Sequence, residues 1–220
     1  VIDPLPALAA SFGLAFSGAV MPGPLLSATV KESAARGASA GPLLIAGHVL
    51  LELCLVALLL MGASALMASA AFVTAISIAG GAVMLWMAGG MAAGLPKLSL
   101  PSLGEGGGPA RRGALKLIAA GAAISLSNPY FFVWWASIGM GLLLSSADSG
   151  PAAVAAFLAG HALGDALWYS GVSALVAGGR RFLTDLRYRV LVGACAALMA
   201  FFGLKFLIEG ASRLIGASAV

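Results

Sequence analysis

Six long apolar stretches run through this chain, at about residues 5–30, 43–64, 68–94, 114–144, 151–177 and 188–210. Each reaches the roughly 20 residues that a helix needs to cross the hydrocarbon of a bilayer. No other feature restricts the fold so strongly. A chain of 220 residues with six such stretches keeps little polar surface with which to face water. Composition agrees: 61% of residues are hydrophobic and 9% charged, where a soluble domain carries about 25% charged. The 30 glycines suit helices that pack closely in lipid. The expected class is an all-α membrane protein of six transmembrane helices, and the lipid bilayer is its first partner.

The charges fall between the stretches. Lys31 and Arg36 follow the first; Lys97, Arg111, Arg112 and Lys116 surround the gap after the third; Arg180, Arg181, Arg187 and Arg189 follow the fifth. All but Lys205 and Arg213 of the 12 basic residues therefore lie in alternate loops. Cytoplasmic loops retain Lys and Arg, so these three loops are expected in the cytoplasm and both termini outside, across the cell inner membrane. Basic residues spread over three short loops do not make a nucleic-acid site, and no nucleic-acid partner is expected. No cleavable leader is evident, since the first charge is Asp3 rather than a basic residue.

Residues 95–113 are rich in Pro, Gly and Ser and read as a flexible cytoplasmic linker. They separate a first three-helix unit, 1–94, from a second, 114–220. The two units share a pattern 113 positions apart: Gly47-His48-x-Leu50-x-Glu52 returns as Gly160-His161-x-Leu163-x-Asp165, and Gly80 and Gly90 return as Gly193 and Gly203. A unit with an odd number of spans ends on the side opposite its start. A second copy must then enter the membrane upside down, which is the inverted repeat of many secondary transporters. Such proteins bind cargo near the midplane, between the repeats and on discontinuous helices.

Both units offer a break in the matching place. The first stretch contains Met21-Pro22-Gly23-Pro24 and the fourth Ser127-Asn128-Pro129-Tyr130. Proline removes a backbone donor and clashes with the preceding turn. In lipid the freed groups must be satisfied by protein or cavity water. Two facing breaks are expected to line one polar cavity, with Pro22, Gly23, Pro24, Asn128 and Pro129 at the substrate. Ser125, Ser127, Ser27 and Thr29 flank the breaks and suit either backbone satisfaction or substrate contact. Trp134, Trp135 and Tyr130 read as packing or interfacial aromatics rather than a cavity wall.

Glu52 and Asp165 lie well inside spanning segments. A central acid costs roughly 2.5–3.5 kcal/mol on insertion, and such residues face the bundle interior and mark ion or substrate paths. His48 and His161 stand four residues earlier, on the same helical face as each acid. The acids suit two jobs, balancing a cationic group on a substrate or carrying protons, and the histidines join them as expected proton-coupling residues. Buried polar locks between helices are the structural alternative. Cys54 and Cys195 lie apart in apolar runs and read as buried hydrophobes. No Walker motif or nucleophile–base pair is present, so an enzyme is not expected, and no cofactor or resident metal is expected.

These residues resemble the LysE/RhtB-type amino-acid exporters, within the LysE superfamily. The resemblance rests on Met21-Pro22-Gly23-Pro24 with Gly37 and Gly41, Gly47 with Glu52, Ser127-Asn128-Pro129, and Gly160 with Asp165, and covers nearly the whole chain. It implies a six-helix inner-membrane exporter of amino acids, driven by the proton-motive force and often dimeric. Members commonly carry Asp where this chain has Glu52. His48 and His161 are not diagnostic of the family and mark a subgroup with a different substrate. The wider superfamily includes divalent metal exporters, the alternative for a chain with two His–acid pairs, and carriers of reducing equivalents, whose membrane cysteines Cys54 and Cys195 do not match in position.

Overall fold

The computed structural model describes residues 4–21, 23–67, 69–100 and 110–217. Among them every regular element is a helix. In order these are α1 (Pro4–Ala19), α2 (Pro24–Arg36), α3 (Ala40–Leu58), α4 (Ser64–Met67), α5 (Ala70–Gly94), α6 (Ala110–Leu126), α7 (Pro129–Trp134), α8 (Met140–Asp148), α9 (Pro151–Gly179) and α10 (Asp185–Ala217). A π-helical turn, Leu59–Ala63, joins α3 to α4, with a kink at Gly62 where φ is 107°. A second, Trp135–Gly139, joins α7 to α8.

Three helical segments are long and apolar enough to cross a membrane: Ala40–Ala63, Ala70–Lys97 and Asp185–Ile215. The pair α1 and α2 passes the same test together, bent by 81° at the break. The remaining two apolar stretches differ from simple spans. The fourth begins four residues earlier than expected, at Ala110, and is divided by Asn128-Pro129 and by the π-helical turn. The fifth, α9, has ample length at 29 residues but carries His161 and Asp165 at its middle. Large apolar side chains nevertheless point outward along the helices, with Trp86 78%, Leu175 76% and Phe201 62% exposed. An apolar surface of this kind belongs against lipid.

Each break starts its helix with proline at the first helical position, where the missing N–H has no intrahelical acceptor to lose. Gly23 is extended ahead of Pro24 (φ −135°, ψ −172°), and Asn128 is extended ahead of Pro129 (φ −89°, ψ 114°). Helix α2 ends at Gly37, whose φ of 89° lets its N–H return to the Ser33 carbonyl at 2.9 Å.

Glycine sets the packing. Gly160 lies against Leu8 and Ser11, and Gly164 against Phe12 and Ala15, so α1 and α9 run side by side in the same direction. Gly47 lies against Ile118 and Ala122, and Gly121 against Leu44, so α3 and α6 do likewise. Gly81 meets Gly203 and Leu207 while Ile78 meets Gly210, which sets α5 and α10 antiparallel. A Cβ at Gly47, Gly121 or Gly160 would collide with a backbone carbonyl of the neighbouring helix. Exchanging the two halves of the chain turns the α1–α9 pair into the α6–α3 pair and leaves the α5–α10 pair in place. The matched glycines of the third and sixth stretches do not share a role, however. Gly80 faces the Pro129 ring and Gly90 open space, whereas Gly193 faces Leu95 and Gly203 faces Gly81.

The expected linker begins as structure. Leu98 accepts a hydrogen bond from Arg189 Nε at 2.5 Å, and the Leu100 N–H donates to Asp185 at 2.9 Å. Residues 101–109 lie outside the described set.

Candidate functional site

Helices α3 and α9 cross at the centre of the molecule in opposite directions, and their polar residues meet there. His48 Nε2 lies 3.1 Å from Glu52 Oε1 and 3.5 Å from Asp165 Oδ2. His161 Nε2 lies 3.0 Å from the same Glu52 oxygen and 3.5 Å from the same Asp165 oxygen. Four atoms therefore form one closed ring, N–O–N–O. Within each helix the His–acid contact is the i,i+4 pair legible in the sequence; between helices each histidine also reaches the opposite acid.

The ring is nearly sealed from outside. Glu52, Asp165 and His161 are buried, and His48 almost so. Ser125 on α6 fixes His48: its Oγ donates to the Gly121 carbonyl at 2.8 Å and lies 2.7 Å from His48 Nδ1. One hydroxyl thus serves both the Gly121 carbonyl and the His48 imidazole, whose orientation it fixes. His48 Nε2 therefore faces two carboxylate oxygens. Two buried carboxylates at this spacing repel one another unless positive charge, an imidazolium proton or another cation, lies between them.

Aromatic side chains wall the ring. Trp135 Nε1 donates to Glu52 Oε1 at 3.3 Å. The His161 ring lies 4.7 Å from Trp134 and 6.2 Å from Phe157, centroid to centroid, while Phe131 meets His48 edge-on at 5.5 Å. The tryptophans are thus neither interfacial nor mere filler, since both are buried at the site. Gly139 makes room for them; a side chain there would strike both indole rings. Tyr130 and Trp134 also tie this wall to α1, the Tyr130 hydroxyl donating to the Ser17 carbonyl at 3.1 Å and the Trp134 indole to Ser17 Oγ at 3.0 Å.

A cavity of about 50 Å³, partly open to the outside, adjoins the ring. That is room for a few water molecules, well short of the roughly 300–1,000 Å³ of small-molecule sites, so a cargo larger than water needs the cavity to widen. Gly23 and Asn128 line it together with His48, Glu52, His161 and Asp165. A Cβ on Gly23 would stand 3.6 Å from Asn128 Nδ2, so the two breaks face each other. Pro24 and Pro129 are buried behind this lining rather than on it. Pro22 lies outside the described residues. Of the flanking hydroxyls, only Ser125 joins the ring. Ser127 and Thr29 bond back into their own helices, to Ile124 and Leu25, and Ser27 meets Met199 Sδ at 3.3 Å. Tyr169 and Trp135 line the cavity without having been singled out as cavity residues by any motif. Cys195 is buried, but Cys54 is exposed on α3, away from the buried position expected of it.

Residues 16–210 match the family described as LysE type translocator. The chain belongs to that family. This LysE-type translocator is thus a membrane-embedded, multi-pass protein of a transporter family, and all of the cavity's lining but Ala15 lies within the matched region. It is also 29% identical over 191 residues to the chemotactic transduction protein ChpE of Pseudomonas aeruginosa, covering 86% of this chain and 90% of that protein. No solved structure matches the translocator.

Proposed function

We propose that this translocator is a secondary transporter that exports amino acids or similar small metabolites across the cell inner membrane, using the proton-motive force. The observation that carries this reading is the ring itself: two buried carboxylates that need cationic partners, shared by two imidazoles beside a cavity. A cargo ammonium group and a proton both meet that need, and exchange of one for the other couples transport to the gradient. The uncapped start of α2, where Gly23 has no side chain to offer, adds a helix N-terminus beside the same cavity, and its dipole favours the carboxylate end of a zwitterion.

The architecture is read as six spans in two inverted three-helix repeats. The exchange of helix pairs between halves and the crossing of α3 with α9 at the ring support it. Alternating access then comes from one half rocking against the other around the ring. The basic loops put the linker in the cytoplasm and both termini outside, so a reporter fused at Gly107 is expected to read cytoplasmic.

The test is efflux of labelled amino acids from vesicles under an imposed proton gradient. Glu52→Gln and Asp165→Asn are each expected to reduce gradient-driven flux severely. Normal transport by both variants overturns the mechanism.

A second reading has its own observation. One ligand atom each from His48, Glu52 and Asp165 lies within 4.8 Å of the others, a set that suits a divalent cation as cargo. The Ser125 bond would orient His48 for such a role. Equilibrium binding of zinc and manganese to purified protein separates the readings, because an amino-acid carrier retains neither ion at this site.

A further inference from the structure

We propose that the two repeat-related acids have separate jobs: Asp165 receives the ammonium group of the cargo, and Glu52 is a fixed anion that holds the ring together. The proposal rests on the transport reading above and deepens it.

The repeat pairs His48 with His161 and Glu52 with Asp165, so equal roles would give equal surroundings. The surroundings differ. Glu52 Oε1 is approached by three N–H groups or ring nitrogens, at 3.1 Å from His48, 3.0 Å from His161 and 3.3 Å from Trp135. Asp165 Oδ2 stands 3.5 Å from both imidazoles and is buried without a hydrogen-bond partner. His161 Nδ1 is likewise buried without one, whereas His48 Nδ1 is held by Ser125. Within the ring, all the unmet hydrogen-bonding capacity belongs to α9.

Chemistry in the sequence accounts for this. Glutamate is one methylene longer than aspartate, so Glu52 closes on the opposite histidine to 3.0 Å, whereas Asp165 stops at 3.5 Å from His48. The hydroxyl support of the α3 side also lacks a counterpart. Gly160 meets the Leu8 carbonyl as Gly47 meets that of Ile118, which makes Ala15 the counterpart of Ser125, and Ala15 has no hydroxyl. A buried carboxylate oxygen with no donor is strongly unfavourable. It persists here on the wall of a cavity that also presents Gly23 and Asn128, where an incoming ammonium supplies the missing N–H groups.

The experiment has two arms on purified full-length protein. The first needs no cargo. Both histidines of the chain lie in the ring, so histidine-selective nitrogen NMR reports on the ring alone. Glu52→Gln is expected to move the signals of both imidazoles and to lower the thermal unfolding temperature. Asp165→Asn is expected to lower that temperature less, or not at all, since Asp165 makes only the two longer contacts of 3.5 Å. If Glu52→Gln cannot be recovered folded, Trp135→Phe removes one donor and is expected to give a smaller fall. The second arm measures stabilisation by each proteinogenic L-amino acid, added singly, and by its N-acetyl derivative, which lacks the ammonium.

Wild type is expected to respond to at least one free amino acid and not to its acetylated form. Asp165→Asn is expected to weaken that response on the order of tenfold or more, the scale of a lost hydrogen bond to a charged group. Asp165→Asn unfolding below Glu52→Gln, or binding the amino acid as wild type does, overturns the division of roles while leaving the transport reading intact. No response of wild type to any amino acid overturns the ammonium assignment together with the amino-acid reading. In that case the first arm still reports which acid the ring depends on.

Discussion

The break before Pro24 and the break before Pro129 use the same proline and finish it differently. At the second, Asn128 Oδ1 accepts the Tyr130 N–H at 3.1 Å, so the chain caps its own helix. Pro129 is then seated on Gly80 of α5, where no side chain intervenes. At the first, Gly23 makes no side-chain cap, and the start of α2 abuts the cavity. A capped, seated break is a fixed part of the scaffold. An uncapped one keeps its backbone end for something else. The same contrast recurs between Glu52 and Asp165, one saturated with partners and the other short of them.

The largest effect that tests this contrast is expected at the seat. Gly80→Val drives a branched side chain into the Pro129 ring and is expected to cost about 1–3 kcal/mol or more. Thermal unfolding in detergent measures it, and an unchanged midpoint shows that Pro129 is not locked. Next is the cap itself. Asn128→Ala is expected to lose about 1 kcal/mol, typical of removing an N-cap side chain, again read from the unfolding midpoint. The smallest change in stability is the most informative. Gly23→Asn gives the first break the cap of the second, and the extended backbone there accepts any residue. Stability is expected to rise by a few tenths of a kcal/mol while gradient-driven efflux falls, because the helix start is now occupied. Efflux equal to wild type breaks the comparison.

Much of this molecule is legible before any coordinates. Apolar length places the helices, since a segment that must bury every backbone group in lipid has few other solutions. The 113-residue repeat brings His48, Glu52, His161 and Asp165 to notice, because polar side chains in an apolar run are conspicuous. Their meeting as one ring was not legible. Helical spacing relates His48 to Glu52 along one face, but the distance from Glu52 to His161 depends on how α3 crosses α9. Trp135 was hidden for a related reason. A tryptophan in an apolar stretch looks the same facing lipid or facing a carboxylate, and only Gly139, four residues on, hints at space kept for the indole. Ser125 was visible as a hydroxyl near a break, yet its partner lies 77 positions away on α3. The π-helical turn at Trp135–Gly139 leaves no mark in composition at all.

The glycine contacts have a mechanical consequence. Where Gly47 and Gly121 bring α3 onto α6, and Gly160 brings α9 onto α1, backbone rests on backbone with no side chain between. Such surfaces cannot yield by changing rotamers, so each pair behaves as a stiff plate. A movement that parts the two plates must open the seam between α3 and α9. That seam is stitched at Glu52, whose oxygen is shared by a histidine from each plate. Under the proposed rocking, opening the gap and rearranging the hydrogen bonds are a single event, and the cation proposed for the ring would set when the hinge is free to turn.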